Sequence, residues 1–289
     1  MISAQSTGMR PIGPGIRFLL QAGARLKSTI RPVTILNIHE FGDPAGEPML
    51  AIHGITAHGR RFRRLAEQAW PQRRTIAVDL RGHGRSTYDG PWSIPQHLTD
   101  LLDTLDSLGL AELDVVGHSY GGAIGLSLLA RAPHRVKRLV MLDPALAQSG
   151  EFSTTAALET IAAEGWNSVE EATIARNGGA AEVINPAVIE DIEAHLTLGD
   201  DGRYRFRYHK PAVVTGWGEL SYPLPAMIEP RPTLLVIAEQ AGLVTDQTVA
   251  GLEELFGHRL SIVRIDCGHM LYWERFEETA DAVMTFFGA

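Results

Sequence analysis

The chain alternates short apolar, β-branched runs with segments patterned for helices, and this alternation narrows its fold more than any other feature. Strand-like runs are VTILNIHEF (33–41), PMLAIHG (48–54), RTIAVDL (74–80), LDVVGHS (113–119), VKRLVMLD (136–143), PTLLVIAE (232–239) and RLSIVRID (259–266). Most are continuously apolar rather than alternating, the signature of strands buried on both faces of a parallel sheet. Between them, Leu98, Leu101, Leu102, Leu105 and Leu108 recur at helical spacing, with Pro95 at the start of the segment and Gly109 at its end. AIGLSLLARAP, DQTVAGLEELFG and ERFEETADAVMTFF supply further helices. Strand and helix in turn imply an α/β fold with a doubly wound, mostly parallel sheet.

The alternation breaks once, from about Leu146 to Pro225. That stretch holds short helical pieces, the turn LGDDGR, an alternating YRFRYH and the aromatics Phe152, Trp166, Tyr204, Phe206, Tyr208, Trp217 and Tyr222. Roughly 80 residues exceed a plain loop in a compact domain, so a mainly helical cap subdomain is expected there. The chain then divides into an extension (1–32), a first core part (33–145), the cap (146–225) and a second core part (226–289). The first 39 residues carry only basic charges, Arg10, Arg17, Arg25, Lys27 and Arg31. An amphipathic N-terminal helix on the body is the expectation, with organelle targeting as the alternative.

Several function classes are excluded early. A net charge of −8 argues against nucleic-acid partners, which require concentrated Lys and Arg. The densest basic run, RRFRR (60–64), reads as the solvated face of a helix. The single cysteine, Cys267, forms no internal disulfide and suggests neither a metal site nor an oxidising compartment. No apolar run approaches a membrane span, and a cytoplasmic location is expected.

Chemistry concentrates in DVVGHSYGGAIG (114–125). Gly117-His118-Ser119-Tyr120-Gly121 follows an apolar strand and opens a helix. On such a sharp strand-to-helix turn the serine Oγ is pushed outward, and glycines flank it because side chains there would collide. The emerging helix offers backbone N–H groups to a developing oxyanion.

Together with four further segments, this motif resembles the α/β-hydrolase superfamily, in particular its serine esterases and lipases. IHGITAHG (52–59) is similar to the family's His-Gly oxyanion loop, and VDLRGHGRS (78–86) to its D-x-R-G-x-G-x-S segment. PTLLVIAE resembles the strand before the usual acid loop, and CGHMLYWERFEETADAVMTFF (267–287) the catalytic-histidine loop and closing helix. The resemblance implies Ser119 as nucleophile and His269 as general base, with the backbone N–H groups of Ile55 and Tyr120 as the oxyanion hole. His53, His83 and His118 are then loop-bracing residues. The acid departs from the family's commonest pattern, because Ala241 stands where an Asp is expected. Asp143, after the preceding strand, is the preferred candidate, as in haloalkane dehalogenases and some lipases. Glu239 and Asp246 are the alternatives, Asp246 being also a candidate cap of the following helix.

The expected function is a cofactor-free, metal-free serine hydrolase. It would cleave carboxylic esters, lactones or thioesters of small to medium apolar molecules through an acyl-enzyme. Carbon–carbon or amide hydrolysis, or perhydrolysis, on the same residues is the catalytic alternative. A non-catalytic small-molecule-binding protein is the alternative from another class.

Overall fold

The computed structural model describes residues 33–176 and 184–288. The helix expected within 1–32 lies outside the described residues. A seven-stranded sheet organises the rest. Its strands are β1 (Ile38–Gly42), β2 (Pro48–Ile52), β3 (Arg74–Val78), β4 (Leu113–His118), β5 (Val136–Leu142), β8 (Thr233–Ala238) and β9 (Leu260–Ile265), in the order β1-β3-β2-β4-β5-β8-β9. β1 runs antiparallel to β3, and the other neighbours pair in parallel. The first strand is shorter than its apolar run: residues 33–37 stay outside the ladder.

Every residue of β4 and of β8 is buried, as expected of strands covered on both faces. One face packs under α2 (Ile94–Ser107), α3 (Tyr120–Arg131) and α8 (Asp246–Phe256), with Leu101, Leu105, Ile124, Leu128 and Leu252 against Leu50, Val115 and Leu235. The other face packs under α1 (Arg63–Gln68) and α10 (Phe276–Phe287), through Phe62, Leu65, Val283 and Phe287. The helix of residues 246–256 is capped by Thr245, whose side chain accepts from the Thr248 N–H, so Asp246 is its first residue rather than its cap.

The insertion between β5 and β8 holds α4 (Gly150–Ala162), α5 (Val169–Arg176), α6 (Pro186–His195) and α7 (Lys210–Glu219). It also forms an antiparallel ribbon of β6 (Leu196–Leu198) and β7 (Tyr204–Phe206). The ribbon is the YRFRYH alternation in structural form, closed by a turn at Gly202 with φ of 74°. Among the described residues, no helix is long and apolar enough to cross a membrane, and no cluster of His, Cys, Asp or Glu could hold a metal ion.

The RRFRR segment departs from its expected solvated face. Arg61 is only 4% exposed, pairing with Asp191 (2.5 Å) and lying 4.5 Å from the Trp273 ring centre. The insertion covers this stretch, and a partner on α6 makes burial of the charge tolerable.

Candidate active site

Ser119 occupies the turn between β4 and α3, with φ 55° and ψ −119°. A non-glycine residue at positive φ stores strain and persists only where its surroundings over-determine it. Here they do so from three sides. The Ser119 N–H donates to the Leu142 carbonyl at 3.0 Å, and its carbonyl accepts from Gly122 (2.9 Å) and Ala145 (3.3 Å). A Cβ on Gly121 would stand 2.0 Å from the Ile52 carbonyl oxygen, and one on Gly117 would stand 2.2 Å from that of Gly121. The two glycines of the motif are therefore required by backbone contact.

His269 follows β9, and its ring Nδ1 donates to Asp143 Oδ2 at 2.6 Å. Asp143 sits one residue past β5, also at positive φ (41°), with its side chain fully buried. Its N–H donates to Val236 O (2.7 Å), and Oδ1 accepts from the Ala238 N–H (3.1 Å). The end of β8 thus holds the carboxylate from behind and points its other oxygen at His269. With Nδ1 protonated, Nε2 presents a lone pair. Glu239 and Asp246 are both exposed; the carboxylate brought to His269 is that of Asp143.

The loop carrying His269 is fixed by residues that the sequence motif did not mark. Glu274 accepts from the N–H groups of Gly268 (2.6 Å) and Met270 (3.3 Å), bracketing the histidine. The His118 Nε2 donates to the His269 carbonyl at 2.9 Å, and the Tyr272 hydroxyl donates to His118 Nδ1 at 3.2 Å. Burial, helped by His269 nearby, holds the His118 pKa well below the ordinary histidine value, so the ring stays neutral in this relay. The sequence reading missed Glu274; its place five residues beyond His269 is the signal that could have found it.

The facing loop runs from β2 through His53, Gly54 and Ile55. Gly54 packs against the elbow, where a Cβ would lie 3.3 Å from that of Ser119. His53 Nδ1 donates to the Gly54 carbonyl (2.7 Å), while its Nε2 accepts from the Leu80 N–H (3.0 Å). In a trans peptide, N–H and C=O point in opposite directions, so fixing the Gly54 carbonyl also fixes the Ile55 N–H. His83 Nε2 donates to the Ile55 carbonyl and secures the next peptide. Burial pushes both imidazoles below their ordinary pKa. Among the described residues, neither the Ile55 nor the Tyr120 N–H is engaged in a hydrogen bond. The Tyr120 ring itself is buried, edge-on to His97, and lies near Gly216 of α7.

The VDLRGHGRS segment is a scaffold. Asp79 accepts from the N–H groups of Gly59 (2.8 Å) and Arg85 (2.9 Å) and from Asn37 (2.8 Å), and His39 lies at 3.2 Å. Burial alone would raise its pKa. These donors, His39 foremost, instead hold it below the usual carboxylate range. Arg81 makes a forked pair with Asp100 at 2.6 and 2.8 Å.

This architecture recurs in known proteins. Residues 47–178 match the α/β-hydrolase fold family. The chain is 34% identical over 256 residues to Lipase LipV of Mycobacterium tuberculosis, covering 88% of this chain and 98% of that one. It is 25% identical over 268 residues to Esterase YbfF of Escherichia coli, covering 90% and 99%. The crystal structure of E-2-(acetamidomethylene)succinate hydrolase matches with a TM-score of 0.76 at 24% identity, over 88% of this chain and 95% of that one. The chain belongs to the α/β-hydrolase family and is a hydrolase enzyme of that fold.

Proposed function

We propose that the enzyme is a serine hydrolase of carboxylic esters, lactones or thioesters. The observation that carries this reading is the 2.6 Å bond from His269 Nδ1 to the buried Asp143 carboxylate, on a loop tied to the residue next to Ser119. In the reaction, Ser119 Oγ attacks the scissile carbonyl carbon while His269 Nε2 takes its proton. The Ile55 and Tyr120 N–H groups, both without an acceptor among the described residues, receive the oxyanion; losing one such donor costs about 10²- to 10³-fold in rate. Collapse of the tetrahedral intermediate returns the proton from His269 to the leaving alcohol or thiol. Water, deprotonated by the same imidazole, then releases the acid from the acyl-enzyme. Asp143 keeps the proton on Nδ1 and stabilises the imidazolium.

Residues 146–225 act as a cap in this reading, with Ile55 and Gly216 in contact at its junction with the core. The names of the lipase and esterase relatives favour an acyl ester as substrate. Labelling with a fluorophosphonate probe and turnover of a 4-nitrophenyl acyl ester series test the reading together. Wild type is expected to label and to turn over esters, and Ser119→Ala to do neither. Equal labelling of the two proteins would remove Ser119 from the mechanism. Labelling without ester turnover would move the reaction to amide or carbon–carbon hydrolysis.

A further inference from the structure

A half-buried positive charge with no carboxylate partner among the described residues lies beside the proposed oxyanion loop. Arg176, the last residue of α5, reaches back to the core and donates from Nη1 to Thr56 Oγ1 at 2.5 Å. Thr56 is the residue after Ile55. The Arg176 Nε is buried and has no hydrogen-bond partner among the described residues. A second guanidinium, Arg61, is buried on the same cluster with none of its nitrogens in hydrogen-bond geometry among the described residues. His195, 1% exposed, stacks on His58 (4.3 Å) and Phe206 (5.2 Å) and leaves both ring nitrogens unpartnered among the described residues.

Among the described residues the charges of this cluster do not balance. The one acid there, Asp191, lies 2.5 Å from Arg61 and 3.1 Å from His58, and so is already engaged. Asp143, the other buried acid of the site, is held by His269 and the Ala238 N–H. Tyr272 and Tyr208 stay protonated at neutral pH, because burial raises both phenols. Burial and the neighbouring Arg61 lower Arg176 to about 10, which still leaves it a cation at neutral pH. A partly desolvated guanidinium is stabilised by an anion that pairs with it, and among the described residues no carboxylate pairs with Arg176. Its planar fork is matched to a carboxylate.

We infer that Arg176, with Thr56 beside it, binds a free carboxylate of the substrate, so that the preferred substrate is an acid ester carrying a negative charge besides its scissile carbonyl. This rests on the serine hydrolase reading and narrows its substrate class. The carboxylate occupies the Arg176 fork while the carbonyl oxygen sits on the Ile55 and Tyr120 N–H groups. Binding in the fork then contributes to orienting the ester for attack.

Two pairs of aryl esters, followed by release of the phenol, test the inference, one charged on the acyl side and one on the alcohol side. They are mono-4-nitrophenyl succinate against 4-nitrophenyl butyrate, and 4-(butyryloxy)benzoate against phenyl butyrate. Wild type is expected to favour the anionic member of at least one pair in kcat/KM. Arg176→Met is expected to lower that anionic-to-neutral ratio by about 10- to 100-fold, chiefly through KM. Arg176→Lys, which keeps the charge without the fork, should fall between them. Fluorophosphonate labelling of each variant reports on an intact serine site. Labelling of wild type with no charge preference in either pair would overturn the carboxylate subsite alone. So would an unchanged ratio in a labelled Arg176→Met protein. Absence of labelling in wild type would overturn the hydrolase reading and the subsite with it.

Discussion

At the scale of single residues, the third member of the proposed triad decides most. Asp143 is fully buried, holds a strained φ of 41°, and divides its oxygens between the Ala238 N–H and His269. Strain at such a position is tolerated where the surrounding structure uses the conformation. Asp143→Asn keeps the shape but lets the amide favour the wrong histidine tautomer, and ester turnover is expected to fall by about 10⁴-fold. Glu239→Gln and Asp246→Asn change exposed side chains and should stay within about twofold of wild type. Steady-state kinetics on the three proteins checks the ranking, and a large loss in either control would reassign the acid. The sequence narrowed the choice to these three without deciding it. Ala241 at the usual acid position removed the familiar signal, and only the pairing of β5 with β8 brings Asp143 under His269.

At the scale of elements, the turn that carries the proposed nucleophile Ser119 is a junction where backbone meets backbone. Strand β4 and helix α3 can approach β2 only because Gly121 has no side chain; a Cβ there would lie 2.0 Å from Ile52 O and 2.8 Å from His53 O. Backbone cannot rotate away as a side chain can, so the clash must displace β2 or the His53 loop. Gly121→Ala is therefore expected to destabilise the protein by about 3 kcal/mol or more, measured by denaturant unfolding. A change below about 1 kcal/mol would mean that the junction yields. The glycine pattern announced this turn in advance, because spacing along one chain encodes a local collision. Glu274 was not announced in the same way: its bonds to Gly268 and Met270 arise from the short helix α9 (Leu271–Glu274), which folds the chain back over the histidine loop.

At the scale of the whole molecule, buried neutral histidines make the fold sensitive to acid. Burial holds His53, His83, His118 and His195 below their ordinary value and lowers His97 to about 3. Unfolding returns each to about 6.5, so the unfolded chain takes up protons that the folded chain refuses. Stability is then present above about pH 6.5 and is lost as pH falls toward the folded values. At pH 5 the neutral His97 alone costs about 2 kcal/mol relative to neutral pH, and the other four rings shift stability in the same direction, against the roughly 5–15 kcal/mol that holds a domain folded. Asp191 and Asp79, both held below the carboxylate range, add to the loss at lower pH. The melting temperature is expected to drop from pH 6.5 to 4.5. A flat profile over that interval would show that these rings protonate inside the fold.

The alternation of apolar runs and helical patterns determined the α/β sheet. The glycines around Ser119 determined the elbow, and the resemblance to the α/β-hydrolases singled out His269 and the loop of Ile55. The sheet and the elbow are local: each depends on residues close in sequence, where period and sterics act directly. What the tertiary structure alone decided is long-range. It selected Asp143 through a bond spanning 126 residues, and it set Arg61 of the RRFRR run against Asp191 of the insertion rather than in solvent. It also brought Arg176 to Thr56 across 120 residues. Charge pairing of this kind depends on desolvation and on which elements stack together, and neither is written in the spacing of any one segment.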